Sequence, residues 1–257
     1  MRLATWNING LRARLEFIAL WLKSRQPDVV GLQELKTPTA EFPHDFFSEL
    51  GYNALVHGQK SWNGVAILTR EPAELITAGL PGEEGWGSRL ITARVGNELE
   101  FTTVYCPNGK SVTHDDYPKK LTWYDSLTSH YSAGEAKRRV LCGDFNIVPR
   151  ALDSWRREAA DGDVFHTIEE RQRLDALMGV GLVDLYRKQY PDRDAFSWWD
   201  YRGGSFHRNH GLRIDFILGT PAISELVQDV TIDREFRKKQ DGLTASDHAP
   251  VYVDLSL

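Results

Sequence analysis

Short apolar, β-branched runs recur along the chain at residues 29–32, 65–68, 90–93, 101–104, 140–142, 214–218 and 251–253, after a first run at 2–6. Runs of this length, bounded by polar turn residues, read as strands. Apolar residues return at helical spacing over 15–25, 119–131 and 168–178, and Thr167 followed by Glu169 and Glu170 marks a helix start before the last of these. Some strands are separated by short polar loops, as in hairpins, and others by a helix. That combination predicts an α/β fold with mixed sheets rather than one all-parallel sheet. No low-complexity linker, charge block or internal repeat divides the chain, so a single domain over 1–257 is expected.

Polar side chains gather where these strands end. Asn7 and Asn9 follow the first, Gln33 and Glu34 the second, Tyr105 and Asn108 a third, Asp144 and Asn146 a fourth, and Asp247-His248 precedes the last. Loops at strand ends are where a rigid scaffold presents catalytic groups, and a set rich in carboxylate and amide oxygens suits a hard cation. Each residue alone has a plainer explanation. The asparagines suit turns, Glu34 and Asp247 could be surface carboxylates, His248 a satisfied core histidine, and Tyr105 an aromatic packed over the core. The conjunction carries the weight: a Gly-Asp-Phe-Asn run at 143–146 and a Ser-Asp-His-Ala-Pro run at 246–250, in order after Gln33-Glu34, are improbable by chance.

Composition narrows the picture. A chain of 257 residues, 41% hydrophobic, can bury a sizeable core. Lys and Arg number 31 against 36 Asp and Glu, a formal net charge of −5, so no overall positive field draws the protein to a polyanion; nucleic-acid binding would need basic residues gathered on one face. Cys106 and Cys142 both fall in apolar runs and read as small buried side chains rather than a disulfide or metal pair. No secretory leader pattern and no uninterrupted apolar span is visible, so the expectation is a soluble, cytoplasmic protein with no membrane partner, and a monomer.

With Thr5 to Arg12, Leu32 to Lys36, Asn63 to Ile67, Tyr105 to Gly109, Gly143 to Asn146, Phe196 to Tyr201, Gly211 to Asp215 and Ser246 to Pro250 in hand, the whole chain resembles the exonuclease III branch of the endonuclease/exonuclease/phosphatase superfamily. The resemblance implies a four-layer αββα sandwich of two mixed β-sheets flanked by helices, with the active site at one end between the sheets. It also implies a Mg²⁺ or Mn²⁺ ion held by Glu34 with Asn7 and Asp247, with Asp144 and Asn146 available to a second ion. Asp215 would orient His248, Tyr105 and Asn146 would bind the phosphate, and Asp144 would handle the proton of the attacking water or leaving group. The choice of general base between Asp144 and His248 stays open.

The implied substrate is double-stranded DNA with abasic sites or blocked 3′ ends. The implied activities are 3′→5′ exonuclease, 3′-phosphatase and incision 5′ to abasic sites. Asn108, Trp198, Leu212 and Ile214 would line a pocket for an extruded abasic sugar. Arg12, Lys110, Arg202 and Arg208, with Arg14, Lys60, Arg89 and Arg213 as further candidates, would track phosphates. Two segments depart from the family pattern: 82–88, with Trp86, and 161–167, with Phe165 and His166. Bulky groups before the helix at 168 would obstruct an abasic nucleotide within a continuous strand while leaving 3′ termini accessible. A phosphoinositide or sphingolipid phosphodiesterase shares the metal glutamate and the Asp-His ending, but Trp198-Trp199 and the 211–215 run favour DNA. A non-catalytic DNA-binding module would not keep every acid-base position.

Overall fold

The computed structural model describes residues 1–134 and 137–256 and contains two stacked six-stranded sheets. The strands of the first are β1 (Arg2–Asn7), β2 (Val29–Gln33), β3 (Asn53–His57), β4 (Val65–Thr69), β11 (Val227–Ile232) and β12 (Val251–Leu255), in the order β11-β12-β1-β2-β4-β3. The second holds β5 (Ala73–Ala78), β6 (Leu90–Val95), β7 (Leu99–Tyr105), β8 (Arg138–Asp144), β9 (Val183–Asp184) and β10 (Asp215–Gly219), in the order β5-β6-β7-β8-β10-β9. The helices are α1 (Leu11–Arg25), α2 (His44–Glu49), α3 (Asp116–Ser132), α4 (Ile168–Gly179), α5 (Leu185–Gln189) and α6 (Pro221–Ser224).

Each sheet is antiparallel except for one parallel pair, β1 with β2 and β7 with β8. Those are the pairs joined through the long helices α1 and α3, because parallel neighbours need a crossover. The pairing sets Asn7 opposite Gln33, Tyr105 opposite Asp144, and Asp144 opposite Asp215 on the antiparallel β10. The strand ends that carry the polar residues therefore lie side by side.

Alternation along the strands supplies the layers. Leu3, Val29, Val65, Ile67 and Val253 of the first sheet pack with Ile91, Phe101, Val140, Cys142 and Ile217 of the second. Ala4, Trp6, Val30, Leu32 and Leu68 point the other way, onto Phe17, Ile18, Trp21 and Leu22 of α1. Leu90, Val104, Leu141 and Phe216 likewise meet Trp123, Tyr124 and Leu127 of α3 and Leu174 and Leu177 of α4. This is the expected four-layer α/β sandwich. The sheets approach closely at Gly31, where a Cβ would lie 2.5 Å from Thr103 Oγ1. Beside it, Gln33 Nε2 bonds Thr5 Oγ1 at 2.9 Å and Thr103 Oγ1 at 2.7 Å, a polar stitch between the sheets below the site.

Several boundaries differ from the sequence reading. α3 begins at Asp116, before Pro118, because a proline in the first turn gives up a backbone N–H that has no helical acceptor. β10 begins at Asp215 rather than 214; the amides of both Ile214 and Asp215 donate to Ser197 Oγ, at 3.2 and 3.1 Å. Strands β3, β5, β9 and β11 carried no clear signal; all four are sheet edges, with β5 mostly exposed and β11 mostly partly buried. The helix start at Thr167 is as read: its hydroxyl accepts from Glu170 N, and Glu170 Oε2 accepts from Thr167 N. Both cysteines are free and buried, and burial pushes both thiols up. No helix among the described residues is long and apolar enough to cross a membrane.

Candidate active site

The strand ends meet in a cluster of buried polar groups. Asn7, the last residue of β1, donates from Nδ2 to Glu34 Oε1 and to Asp144 Oδ2, both at 2.9 Å, linking the two sheets. Its Oδ1 accepts from Asn9 N at 3.0 Å. Glu34 sits in the left-handed region at φ 55, a conformation that costs a non-glycine residue about 1–3 kcal/mol and that clusters at functional sites. Backbone bonds on both sides hold it there: Gly10 N reaches Glu34 O, and Leu35 N reaches Gly64 O. Lys36 Nζ lies 2.9 Å from Glu34 Oε2 and 2.6 Å from Asn9 Oδ1.

Across the gap, the Gly-Asp-Phe-Asn run explains itself sterically. Gly143 has φ +143, and a Cβ there would lie 1.9 Å from Val104 O on the paired strand β7. Gly143→Ala is expected to cost about 3 kcal/mol or more of stability, read as a lower urea midpoint, because the obstacle is backbone that cannot step aside. Asp144 follows at the strand end. Its Oδ1 accepts from Asn146 N at 3.0 Å, and Asn146, itself left-handed at φ 50, donates from Nδ2 to Cys106 O at 3.0 Å.

His248 completes the cluster. Its Nδ1 donates to Asp215 at 2.9 Å (Oδ2) and 3.1 Å (Oδ1), and Asp215 Oδ2 also accepts from Ser197 Oγ at 2.6 Å. That leaves Nε2 turned toward Asp144 Oδ2, 3.8 Å away. Burial alone would disfavour the imidazolium, but Asp215, followed by Asp144 and Asp247, outweighs it and raises His248 to about 10. Burial also raises Asp144, to about 7, with Asp215 and Glu34 adding to the effect while His248 and Asn7 oppose it. Burial, Glu34 and Asp144 hold the Tyr105 hydroxyl well above its usual value, so it stays a neutral donor.

Ligand atoms of Glu34, Asp144 and His248 all lie within 4.8 Å of one another. The paired carboxylate oxygens suit a hard divalent cation, which would relieve their repulsion. Asp247 stands slightly apart. Its Oδ1 accepts from Asn9 Nδ2 at 2.9 Å and its Oδ2 from Trp198 Nε1 at 3.0 Å. Burial pushes Asp247 up, but His248 and these two donors hold it below the usual carboxylate value. Asn7 faces the carboxylates with its amide nitrogen, and Asp247 is engaged by protein donors. Among the described residues, the carboxylate oxygens of Glu34 and Asp144 gather most closely, with Asn7 and Asp247 beside them.

Trp198, Leu212 and Ile214 do converge, in a small apolar cluster with Val148 and Phe165. Ile214 is only 2% exposed, and Phe165, left-handed at φ 75, packs against the buried cluster of Val148, Leu212 and Ile214. His166 is buried behind it, with Nε2 at 3.1 Å from Ser154 Oγ and Nδ1 at 3.1 Å from Val164 O. Asn108 is exposed on the neighbouring loop, where its Oδ1 accepts from Lys110 N.

The basic candidates divide. Arg12, paired with Glu41, and Lys110, paired with Asp116 at 2.7 Å, are exposed, as are Arg202 and Arg208, the latter bonded to Gly203 O. Arg213 is not a surface cation. It is 1% exposed and spends its charge on Asp153 (2.6 Å) and Asp184 (2.8 Å), because its side chain leaves β10's approach on the side opposite Leu212 and Ile214. Arg89 is held by Trp86 O and Tyr105 O, under which it braces the Tyr105 ring 4.9 Å away. Arg14 likewise braces a site loop, bonding Asn9 O and Tyr201 Oη.

Sequence reasoning passed over three supports. Ser197 holds Asp215, Ser246 Oγ donates to Asn7 O at 2.7 Å and accepts from His248 N, and Lys36 balances Glu34. Each adjoins a residue already singled out, and that adjacency was the available signal.

Comparison with known proteins agrees with this arrangement. The pattern of the endonuclease/exonuclease/phosphatase family matches residues 4–248. Exodeoxyribonuclease III of Haemophilus influenzae is 36% identical, with 99% of each chain covered. A 3′ phosphatase from Neisseria, solved bound to a product DNA hairpin, superposes with a TM-score of 0.95 at 34% identity, covering 100% of both chains. An AP endonuclease from Archaeoglobus fulgidus gives 0.94 at 30% identity over 100% of both chains. Sequence match, fold and site together place the chain in the endonuclease/exonuclease/phosphatase family, in its exodeoxyribonuclease III branch.

Proposed function

We propose that this protein hydrolyses phosphate esters at the 3′ ends of double-stranded DNA, as a 3′→5′ exonuclease and 3′-phosphatase, and also incises 5′ to abasic sites as a slower reaction. The observation that carries the reading is the Asp215–His248 dyad aimed at Asp144 beside Glu34. His248, charged at neutral pH, offers Nε2–H to a phosphate oxygen; Asp144, raised toward neutrality, takes the proton of the attacking water. Of the two candidates, Asp144 is the general base in this reading. Tyr105 and Asn146 donate to the remaining phosphate oxygens. Glu34 would hold Mg²⁺ or Mn²⁺, with Asp144, Asn7 and Asp247 around it, and the ion would supply charge neutralisation at the phosphate and the leaving oxygen.

The DNA substrate is supported by the relatives: the Neisseria neighbour is a 3′ phosphatase solved with a DNA hairpin. Phe165 sets the order of preference. It packs against Leu212 and Ile214, two of the side chains that would receive an extruded sugar, so an internal abasic site would compete with it for their surface. Three substrates test the proposal side by side: a duplex with a recessed 3′ end, one with an internal tetrahydrofuran abasic analogue, and a phosphoinositide vesicle. The recessed end is digested, the internal analogue is incised more slowly, and Phe165→Ala raises the ratio of internal incision to recessed-end digestion by ~10-fold. Hydrolysis of the lipid with none of DNA would overturn the reading.

A further inference from the structure

Behind the active site, on the outer side of the second sheet, lies a buried ion pair with no part in the chemistry above. Lys120 of α3 and Glu170 of α4 are both 0% exposed, with Nζ 2.5 Å from Glu170 Oε1. The ammonium's other contacts are backbone carbonyls: Asn146 O at 2.7 Å and Asn108 O at 3.2 Å. An ammonium has three protons, and three acceptors surround this one. Glu170 is engaged as fully: its Oε2 accepts from Thr167 N at 3.1 Å and Thr167 Oγ1 at 3.0 Å. The Phe165 ring centroid lies 4.9 Å from Lys120 Nζ.

Three separate loops thus converge on one cation. One continues from Tyr105 at the end of β7 and carries Asn108, a second continues from Asp144 at the end of β8 and carries Asn146, and the third, before α4, carries Phe165 and His166. Stability does not account for the arrangement, because a buried ion pair contributes little net stability compared with apolar side chains of similar volume. Geometry does. Asn146, left-handed at φ 50, presents the carbonyl that Lys120 holds more closely than that of Asn108.

We propose that Lys120, held by Glu170, is a positioning residue that fixes the two catalytic loops and the Phe165 loop relative to one another. This rests on the function proposed above only for its kinetic readout. The test uses full-length protein with Lys120→Met/Glu170→Gln, which removes both charges together and keeps an acceptor for Thr167 N. On a recessed 3′ end, kcat falls ~10–100-fold while KM changes less than ~3-fold, as expected when transition-state positioning rather than binding is lost. A folded double variant, judged by its melting temperature, with wild-type kcat would overturn the proposal. Glu170→Gln alone is the second arm, read by amide hydrogen exchange without DNA. Exchange rises ~10-fold or more together in residues 106–110 and 145–149, and not in β7 or β8. A rise confined to 165–170 would mean that the pair only caps α4, whatever the enzyme's substrate proves to be.

Discussion

Asp144→Asn is expected to lower kcat on a 3′-phosphorylated duplex by ~10²–10⁴-fold and, in metal-free buffer at pH 8, to raise the melting temperature. Both effects have one origin. Asp144 is buried within reach of Asp215 and Glu34, which lifts it to about 7 in the folded protein from an ordinary value of 3.8. Ionising it therefore costs folding free energy. That cost is absent below about 3.8, grows between 3.8 and 7, and is fully present above 7. The neutral amide removes a penalty on the order of a few kcal/mol at pH 8, so the stabilisation should shrink as the pH is lowered toward 4. Thermal melts of wild type and variant in chelator across this range check it. A variant less stable than wild type at pH 8 would show that Asp144 is held by its donors, Asn7 and Asn146 N, more than it is repelled. A bound divalent ion should reverse the order by stabilising the wild type more.

Asp215→Asn should act through His248. The carboxylate on Nδ1 is the largest influence raising the imidazolium to about 10, so its loss returns His248 toward 6.5 and frees the ring to turn. Activity at pH 8 should fall ~10²–10⁴-fold. The stability effect has the opposite pH sense to that of Asp144. A histidine whose folded value is raised contributes stability that is complete below 6.5 and lost as pH rises through 10, so the variant should be most destabilised near pH 6. An NMR titration of the His248 ring protons gives the direct reading. A His248 that still titrates near 10 in Asp215→Asn would assign its charge to Asp144 and Asp247 instead.

How much of this was legible in the sequence follows from where each signal comes from. The central strands β1, β2, β4, β7 and β8 are buried on both faces for most of their length and read as apolar runs. β5 and β11 are partly exposed edges, and their mixed polar composition resembles loop. The site was legible because five strand ends each carry a carboxylate, amide or imidazole, and the register that makes Asn7, Glu34, Asp144 and His248 neighbours follows from the two crossover units. Burial of charge was not. Arg213 and Lys120 look like solvated cations until tertiary structure shows each enclosed by its acceptors. Phe165 was flagged as bulky, but only the fold shows that it packs on the side chains proposed to form the sugar pocket.

The most direct measurement is release of inorganic phosphate from a DNA hairpin ending in a 3′-phosphate, by wild type and Asp144→Asn, with Mg²⁺, with chelator, and with Mg²⁺ restored. The account predicts release by wild type that stops in chelator, returns with Mg²⁺, and is lost in Asp144→Asn. Release that survives chelation or the loss of Asp144, or no release from DNA under any of these conditions, would contradict it.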